Sequence, residues 1–430
     1  MSKVNMMSAK DKKKGSLVPH LRFPEFRDAG EWAKIQLSKI AIPVSERATD
    51  GDADAVLTLS AEHGVVTQGA YFGKKVAGDD VRRYIRIKNN DFVYNDRTTK
   101  IYKYGTIKRL SRHAYGIVSP IYKCFRFNDE EIPVFWEWYF ESGEHDAQLY
   151  SIINEGAKEG RFNIAIRQFL STHVYFPNKI EQQKIADCLS SLDERIAAEA
   201  NKLDALKAHK SGLLKQLFPA EGETLPALRF PEFRSAGEWE ERTLSQLGEL
   251  VSGLTYSPDD VRDNGLLVLR SSNVQNGMIV LDDNVYVRHE IGSANPSEPN
   301  DILICVRNGS KSLIGKNALI PEGMPPCTHG AFMMVFRSRS AKFVIQLFQT
   351  ETYESQVSAG LGATINSING NQLKKYKFFV PKPAEQQKIA DCLSSLDELI
   401  AAQRQKLSLL KTHKKGLMQQ LFPVFDEAKA

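Results

Sequence analysis

The sequence predicts an α+β chain of two similar globular domains, each followed by a long helix, with the two helices pairing as an antiparallel coiled coil of pseudo-two-fold symmetry. Three observations carry this expectation. First, two segments occur twice: LRFPEFRDAGEW at residues 21–32 returns as LRFPEFRSAGEW at 228–239, with one difference in twelve, and EQQKIADCLSSLDE at 181–194 returns unchanged at 385–398. Second, the later repeat extends to Pro219 and Pro423 with 29 of 39 positions kept, and its apolar residues fall at heptad spacing. Third, the segments between the repeats, 33–178 and 240–384, differ from each other, are each long enough for one compact domain, and show short β-type runs broken by Gly, Asn and Asp.

In chain order the 430 residues divide into a basic disordered tail (1–20), a constant start with the first variable domain (21–180) and a long helix (181–219). A Pro-, Gly- and Glu-rich linker (220–227), a second start and domain (228–384), a second long helix (385–423) and a short tail (424–430) follow. Charged residues make up 25 % and hydrophobic ones 42 %, a soluble globular balance. No apolar run approaches the roughly 20 residues a bilayer requires, and the N-terminus is polar, so a cytoplasmic protein is expected. The five cysteines, Cys124, Cys188, Cys305, Cys327 and Cys392, form no CxxC pair and read as reduced thiols. A net charge of +5 is too mild to demand nucleic acid on its own.

Within the first middle, residues 55–59 and 92–94 read as strands and 133–141 as a helix. In the second, 266–269, 301–306 and 332–336 read as strands and 341–355 as one helix. A weak alignment links the two: Asn90-Asp91 with Asn300-Asp301, Gly105 with Gly315, Gly156 with Gly360, and Gln168 with Gln372. One fold with two different surfaces is the economical reading.

Each long helix is entered after a proline (Pro177, Pro381) and ended by one (Pro219, Pro423). Alternate steps of four and three from Ile185 give Leu189, Leu192, Ile196, Glu199, Leu203, Leu206, Lys210, Leu213 and Leu217. The second copy repeats the pattern from Ile389 to Leu421, with Gln403 and Lys414 at the two polar positions. A helix that merely covers its own domain needs no seam this strict. An antiparallel register with Glu199 opposite Lys414 and Lys210 opposite Gln403 would bring the polar interruptions together, where they can fix register.

The first middle carries a basic, tyrosine-interleaved stretch over residues 82–112. Basic donors neutralise phosphates, and Arg, Asn and Thr can read base edges in a groove. The candidate contacts are Arg82, Arg83, Arg97, Thr98, Lys100, Lys103, Tyr104 and Arg112 here, and Arg270, Ser271, Asn273, Arg307, Asn308, Ser310, Lys311 and Lys316 in the second middle. A solvated strand face would look similar in isolation; the duplicated architecture favours nucleic acid.

No catalytic constellation emerges. GSKSLIGKN at 309–317 has five residues between its glycines where a phosphate loop has four, and Asn317 stands where Ser or Thr would ligate magnesium. Gly360-Leu361-Gly362 lacks the third glycine of a dinucleotide loop, His289-Glu290 lacks the second histidine of a zinc helix, and the histidines show no metal spacing. An Asn-Pro-Pro-aromatic segment, needed for amino methylation, is absent.

The LRFPEF…GEW starts, the P-x₃-EQQKIADCLSSLDE helix entries and the two variable middles together resemble the specificity subunit of a type I restriction-modification system, over nearly the full length. The resemblance implies two target-recognition domains, each reading one half of a split, asymmetric double-stranded DNA sequence. It implies conserved helices that act as a ruler and dock two modification subunits, which would bind S-adenosylmethionine and methylate adenine. Two restriction subunits would add ATP- and Mg-dependent translocation and cleavage. This chain itself would hold no cofactor or metal and catalyse nothing. The competing reading is a coiled-coil scaffold whose two domains bind proteins and have no DNA role.

Overall fold

A computed structural model of the protein describes residues 17–52, 54–73, 81–99, 102–153, 162–292, 294–361 and 366–423. Two compact units emerge: Met1–Ala198 with Leu407–Ala430, and Glu199–Lys406. Each unit therefore combines one constant start, one variable middle, the first half of one long helix and the second half of the other. Among the described residues, no helix is long and apolar enough to cross a membrane.

Both units are built on the same antiparallel four-stranded sheet. In the first unit the strand order is Ala41–Pro43, Lys123–Phe127, Phe92–Asn95, Thr106–Arg109. In the second it is Glu249–Ser252, Met333–Arg337, Ile302–Cys305, Asn317–Leu319. The turn entering the central strand needs a left-handed residue, and asparagine tolerates that backbone: Asn90 has φ 71° and Asn300 φ 66°. The following aspartate is buried in both units. Asp91 accepts the Lys88 N–H at 2.8 Å and both Arg126 donors, while Asp301 accepts the Glu298 N–H at 2.8 Å and both Arg337 donors. Gly105 and Gly315, at φ 96° and 82°, turn the chain back into the edge strand.

The constant segments are two parts of one clamp. Arg22 forks onto Glu181 at 2.7 and 2.6 Å and donates its third nitrogen to the Gly30 carbonyl at 2.6 Å. Arg229 does the same with Glu385 at 2.7 and 2.7 Å and with Gly237 at 2.6 Å. The next residue closes the helix entry, since Gln182 donates to the Pro177 carbonyl and Gln386 to that of Pro381, both at 2.9 Å. The tryptophan ending each start packs edge-on against a helix-end phenylalanine, Trp32 on Phe422 and Trp239 on Phe218.

Each long helix runs 39 residues, Lys179–Leu217 and Pro383–Leu421. In the second unit their halves are antiparallel: Gln403 donates to Glu199 at 2.7 Å, and eleven residues on, Lys210 meets Asp397 on the preceding part of the other helix. The expected pairing of Glu199 with Lys414 and of Lys210 with Gln403 is therefore corrected. Glu199 pairs with Gln403 and Lys406, Lys210 with Asp397, and Lys414 with Asp193. Apolar docking at the helix ends sets the register. Leu417, Leu421 and Phe422 enter the core that holds Ile185 and Leu189, and Leu214, Leu217 and Phe218 enter the core that holds Ile389 and Leu393. Burying these groups outweighs a polar match on the seam.

Two further expectations change. The single helix over 341–355 is two, Ala341–Leu347 and Glu351–Gly360, because Thr350 caps the second by accepting the Tyr353 N–H. The tail over 1–20 ends earlier than expected, since the Leu17 carbonyl accepts the Trp32 N–H at 2.9 Å and Leu17 packs on the first core. Residues 1–16, Gly156, Gly362 and the tail at 424–430 lie outside the described residues.

Candidate nucleic-acid interface

Sheet register sorts the basic stretch of the first unit by position. Asn95 pairs with Thr106 at one end of a hairpin and Phe92 with Arg109 at the other. The loop joining Asn95 to Thr106 carries Arg97, Thr98, Lys103 and Tyr104, and Lys100 on the same loop lies outside the described residues. This loop is pinned from both sides. Thr98 donates to the Lys103 carbonyl at 3.3 Å, Thr99 and Tyr102 exchange bonds of 2.9 and 3.0 Å, and the Tyr94 hydroxyl donates to the Tyr104 carbonyl at 2.9 Å. Burial raises the Tyr94 pKa well above that of a free phenol, so the hydroxyl stays a donor. Lys103 lies over the Tyr104 ring, 5.6 Å from its centroid.

Arg82 and Arg83 are exposed in the turn before Ile85–Lys88. Ile85 pairs with Val118, and the short segment after Val118 leads to Lys123, which pairs with Tyr94. The register thus puts these arginines at the same end as Arg97. Arg112 is the exception: it follows Thr106–Arg109, at the opposite end of a four-residue strand, in a cleft with Glu137, Glu141 and Asp193. Much of the stretch is also neutralised internally. Arg109 pairs with Glu137 at 2.7 Å, Lys108 with Glu141, and Arg86 lies 3.6 Å from Glu46 and 3.8 Å from Asp52.

In the second unit the ends of Leu266–Leu269 and Ile302–Cys305 come together, and Asn308 donates to the Ser271 hydroxyl at 3.0 Å. Arg307 is exposed, with its guanidinium 5.6 Å from the centroid of the Phe332 ring. Ser310 and Lys311 continue the same exposed loop, with Ser310 N–H bonded to the Asn308 side chain at 3.0 Å. Arg270 is partly spent on Asp283 at 2.8 Å, and Lys316 is half-buried beside the sheet. Asn273 is a correction: it is fully buried, accepts the Arg270 N–H at 2.9 Å and donates to the Val280 carbonyl at 3.0 Å. Its polar character closes a turn and reads nothing outside the fold.

The two units present this face in the same way. With Asp91 matched to Asp301 and Arg126 to Arg337, Arg97 falls on Arg307 and Ile121 on Phe332. Neither Ile121 nor Phe332 is among the sequence-predicted contacts, and Phe332 reads from sequence as the first residue of a strand. The strand instead begins at Met333, leaving Phe332 56 % and Ile121 38 % exposed. Beneath the Phe332 turn, His329 is buried between Ser297 at 2.9 Å and the Val251 carbonyl at 3.1 Å, and burial holds its pKa below the usual value.

Residues 236–412 match the sequence family described as Type I restriction modification DNA specificity domain. The StySPI specificity subunit of Salmonella potsdam is 29 % identical over 168 residues, and the EcoKI specificity subunit of Escherichia coli K12 is 30 % identical over 168 residues. The MjaVIII specificity subunit of Methanocaldococcus jannaschii is 25 % identical over 264 residues. These alignments cover 37, 37 and 59 % of this chain and only 36, 36 and 62 % of the relatives' own length. The fold is that of the S subunit from M. genitalium, at TM-score 0.58 and 16 % identity over 94 % of this chain and 99 % of that one. A chain from a type I restriction-modification complex gives TM-score 0.53 and 18 % identity over 91 and 97 %. The likeness in sequence is therefore to the DNA specificity domain of type I systems, over residues 236–412. The matched residues run from the end of the second start through the second middle into the second helix, and the first half of the chain repeats the sheet order, the Asp–Arg pair and the Arg–Glu clamp of the second.

Proposed function

We propose that this chain is a type I specificity subunit that reads a bipartite, asymmetric double-stranded DNA target, one domain to each half-site. The observation that carries the reading is the duplication itself: one skeleton twice, with Arg97 and Arg307 at matched exposed positions among unlike neighbours. Matched arginines on unlike loops are what two readers of different half-sites require, because Arg presents a rigid fork to a guanine edge while neighbouring residues select the flanking bases. Arg82, Arg83, Thr98, Lys100, Lys103 and Tyr104 contribute backbone and groove contacts to one half-site. Ser271, Asn308, Ser310 and Lys311 contribute to the other.

The chain works without a cofactor of its own. Two modification subunits docked on the helices supply S-adenosylmethionine and methylate adenine, and two restriction subunits supply ATP- and Mg-dependent cleavage. The names of the relatives, specificity subunits of restriction enzymes, support a recognition role for this chain. The test is the pattern of methylated adenines, read by single-molecule sequencing in cells carrying the complete complex. Arg307→Ala is expected to relax one base position in one half-site, costing about 1–3 kcal/mol there, and Arg97→Ala to do so in the other. A parental pattern in both variants would move DNA reading elsewhere.

A further inference from the structure

The surface that reads bases contains an apolar element at the same place in both units. A lone exposed apolar residue needs no explanation. Two at matched positions do, one with a matched arginine over it and the other placed by sheet register beside the strand that leads to its arginine. In the second unit the Phe332 carbonyl accepts the Val306 and Arg307 N–H groups at 3.0 and 3.1 Å, so the turn that presents the ring is fixed from behind. The Arg307 guanidinium covers one side of that ring, and the rest of it faces solvent. In the first unit Lys123 donates to the Ile121 carbonyl at 3.3 Å and pairs with Asp96, the residue before Arg97. Here too a polar bond holds the backbone while an apolar side chain points out.

We propose that Phe332 and Ile121 are specificity-determining residues, each contacting the C5 methyl of a thymine next to the base read by the neighbouring arginine. The inference rests on the DNA-reading proposal and narrows it to a chemical group. The major groove offers one apolar feature, the thymine methyl, and aromatic or branched aliphatic carbon is its natural partner. Stacking on Phe332 also holds the Arg307 fork in one plane, so its donors stay aimed at an adjacent guanine edge instead of sampling rotamers. Ile121 offers the methyl contact without a ring to stack on, so Arg97 is less constrained. The two half-sites then differ in how sharply the arginine position is read.

The experiment uses the complete modification complex. Its methylated motif is mapped for the parent, Phe332→Ala, Ile121→Ala and Arg307→Ala, and duplexes carrying the motif are made with uracil in place of each thymine in turn. Phe332→Ala is expected to relax one thymine beside the position relaxed by Arg307→Ala, with the other half-site untouched. Removing that methyl is expected to weaken the parent about fourfold, the worth of one buried methyl group, and to leave Phe332→Ala unchanged. Ile121→Ala is expected to relax one thymine in the opposite half-site. The inference is overturned if Phe332→Ala keeps the parental motif, if no thymine adjoins the Arg307 position, or if the variant melts early and loses both half-sites together. If Arg307→Ala also keeps the parental motif, the DNA-reading face itself has been misplaced, which separates that failure from this one.

Discussion

The two units agree in their hinges and differ in their filling. In the first, the core under the central sheet is aromatic: Phe92, Phe125, Phe127, Trp136, Phe140 and Phe169 stack on one another. In the second, the matching positions are largely aliphatic, with Ile302, Ile304 and Val344 around Phe336 and Phe348. What stays constant is polar or conformational: the left-handed asparagine, the buried Asp–Arg pair, the turning glycine and the Arg–Glu clamp. Cores accept many hydrophobic solutions of the right volume, whereas a buried charge accepts only its partner. The skeleton is therefore specified by few residues, and the loops it carries are free to diverge.

The clamp offers the largest break. Arg22 and Glu181 are nearly fully buried, so Arg22→Ala leaves a carboxylate stranded and is expected to cost about 3–5 kcal/mol in the first unit. Arg229→Ala is expected to act in the same sense on the second, where the arginine is slightly more exposed. Hydrogen exchange followed unit by unit during urea unfolding checks both. Equal loss of protection in both units from one substitution would contradict two separately clamped bodies.

Acid provides the next test. His145 is buried against Phe140 at 5.2 Å, and burial drives its pKa down to about 3. Above its unfolded value, near 6.5, the residue is neutral in both states and costs nothing. As pH falls below 6.5 the unfolded chain takes up a proton the folded unit refuses. His145 by itself should remove about 1.4 kcal/mol per pH unit until about pH 3, and the neighbouring Asp146, whose carboxyl is raised by burial to about 6, offsets that loss between about pH 6 and 3.8. In the second unit His329, also held low by burial, adds a slope of the same sign, and Asp260, held low by its hydrogen bonds from Ser257 and Arg288, adds another at lower pH. His145→Gln is expected to lower the acid slope of the first unit by the His145 share, leaving it less sensitive to acid than the parent. An unchanged slope would mean another group carries it.

The smallest effect tests charge alone. Lys103 is exposed, so Lys103→Ala is expected to change stability by less than about 0.5 kcal/mol while reducing the salt slope of DNA binding by about one. A slope unchanged within error would turn this loop away from the phosphates.

Much of this skeleton was legible in the sequence because repetition exposed it. Asn90 with Asn300 and Gly105 with Gly315 aligned across otherwise unlike middles, and each pair proves to share a positive φ. The long helices were legible from the heptad pattern and their flanking prolines. Their register was not, because a polar match on the seam is weak against the docking of Leu217, Phe218, Leu421 and Phe422, whose surroundings are formed by distant chain. The candidate interface was legible only as a region. Charge marks Arg82–Arg112 in sequence, but Glu137 and Glu141, on a helix more than twenty residues away, neutralise Arg109 and Lys108. Asn273 reads as a contact and is a buried turn residue, while Phe332 reads as the start of a strand and stands in solvent just before it. Both errors arise because composition reports residue type and not which way a turn faces.

The measurement that bears most directly on the central claim is an exchange of residues 33–178 for the same region of a relative with a known target, leaving both starts and both helices intact. The methylated motif of the assembled complex is then mapped. One skeleton carrying two independent readers predicts that one half-site is replaced by the donor's while the other is unchanged. A change in both half-sites, or a single continuous motif, would contradict it.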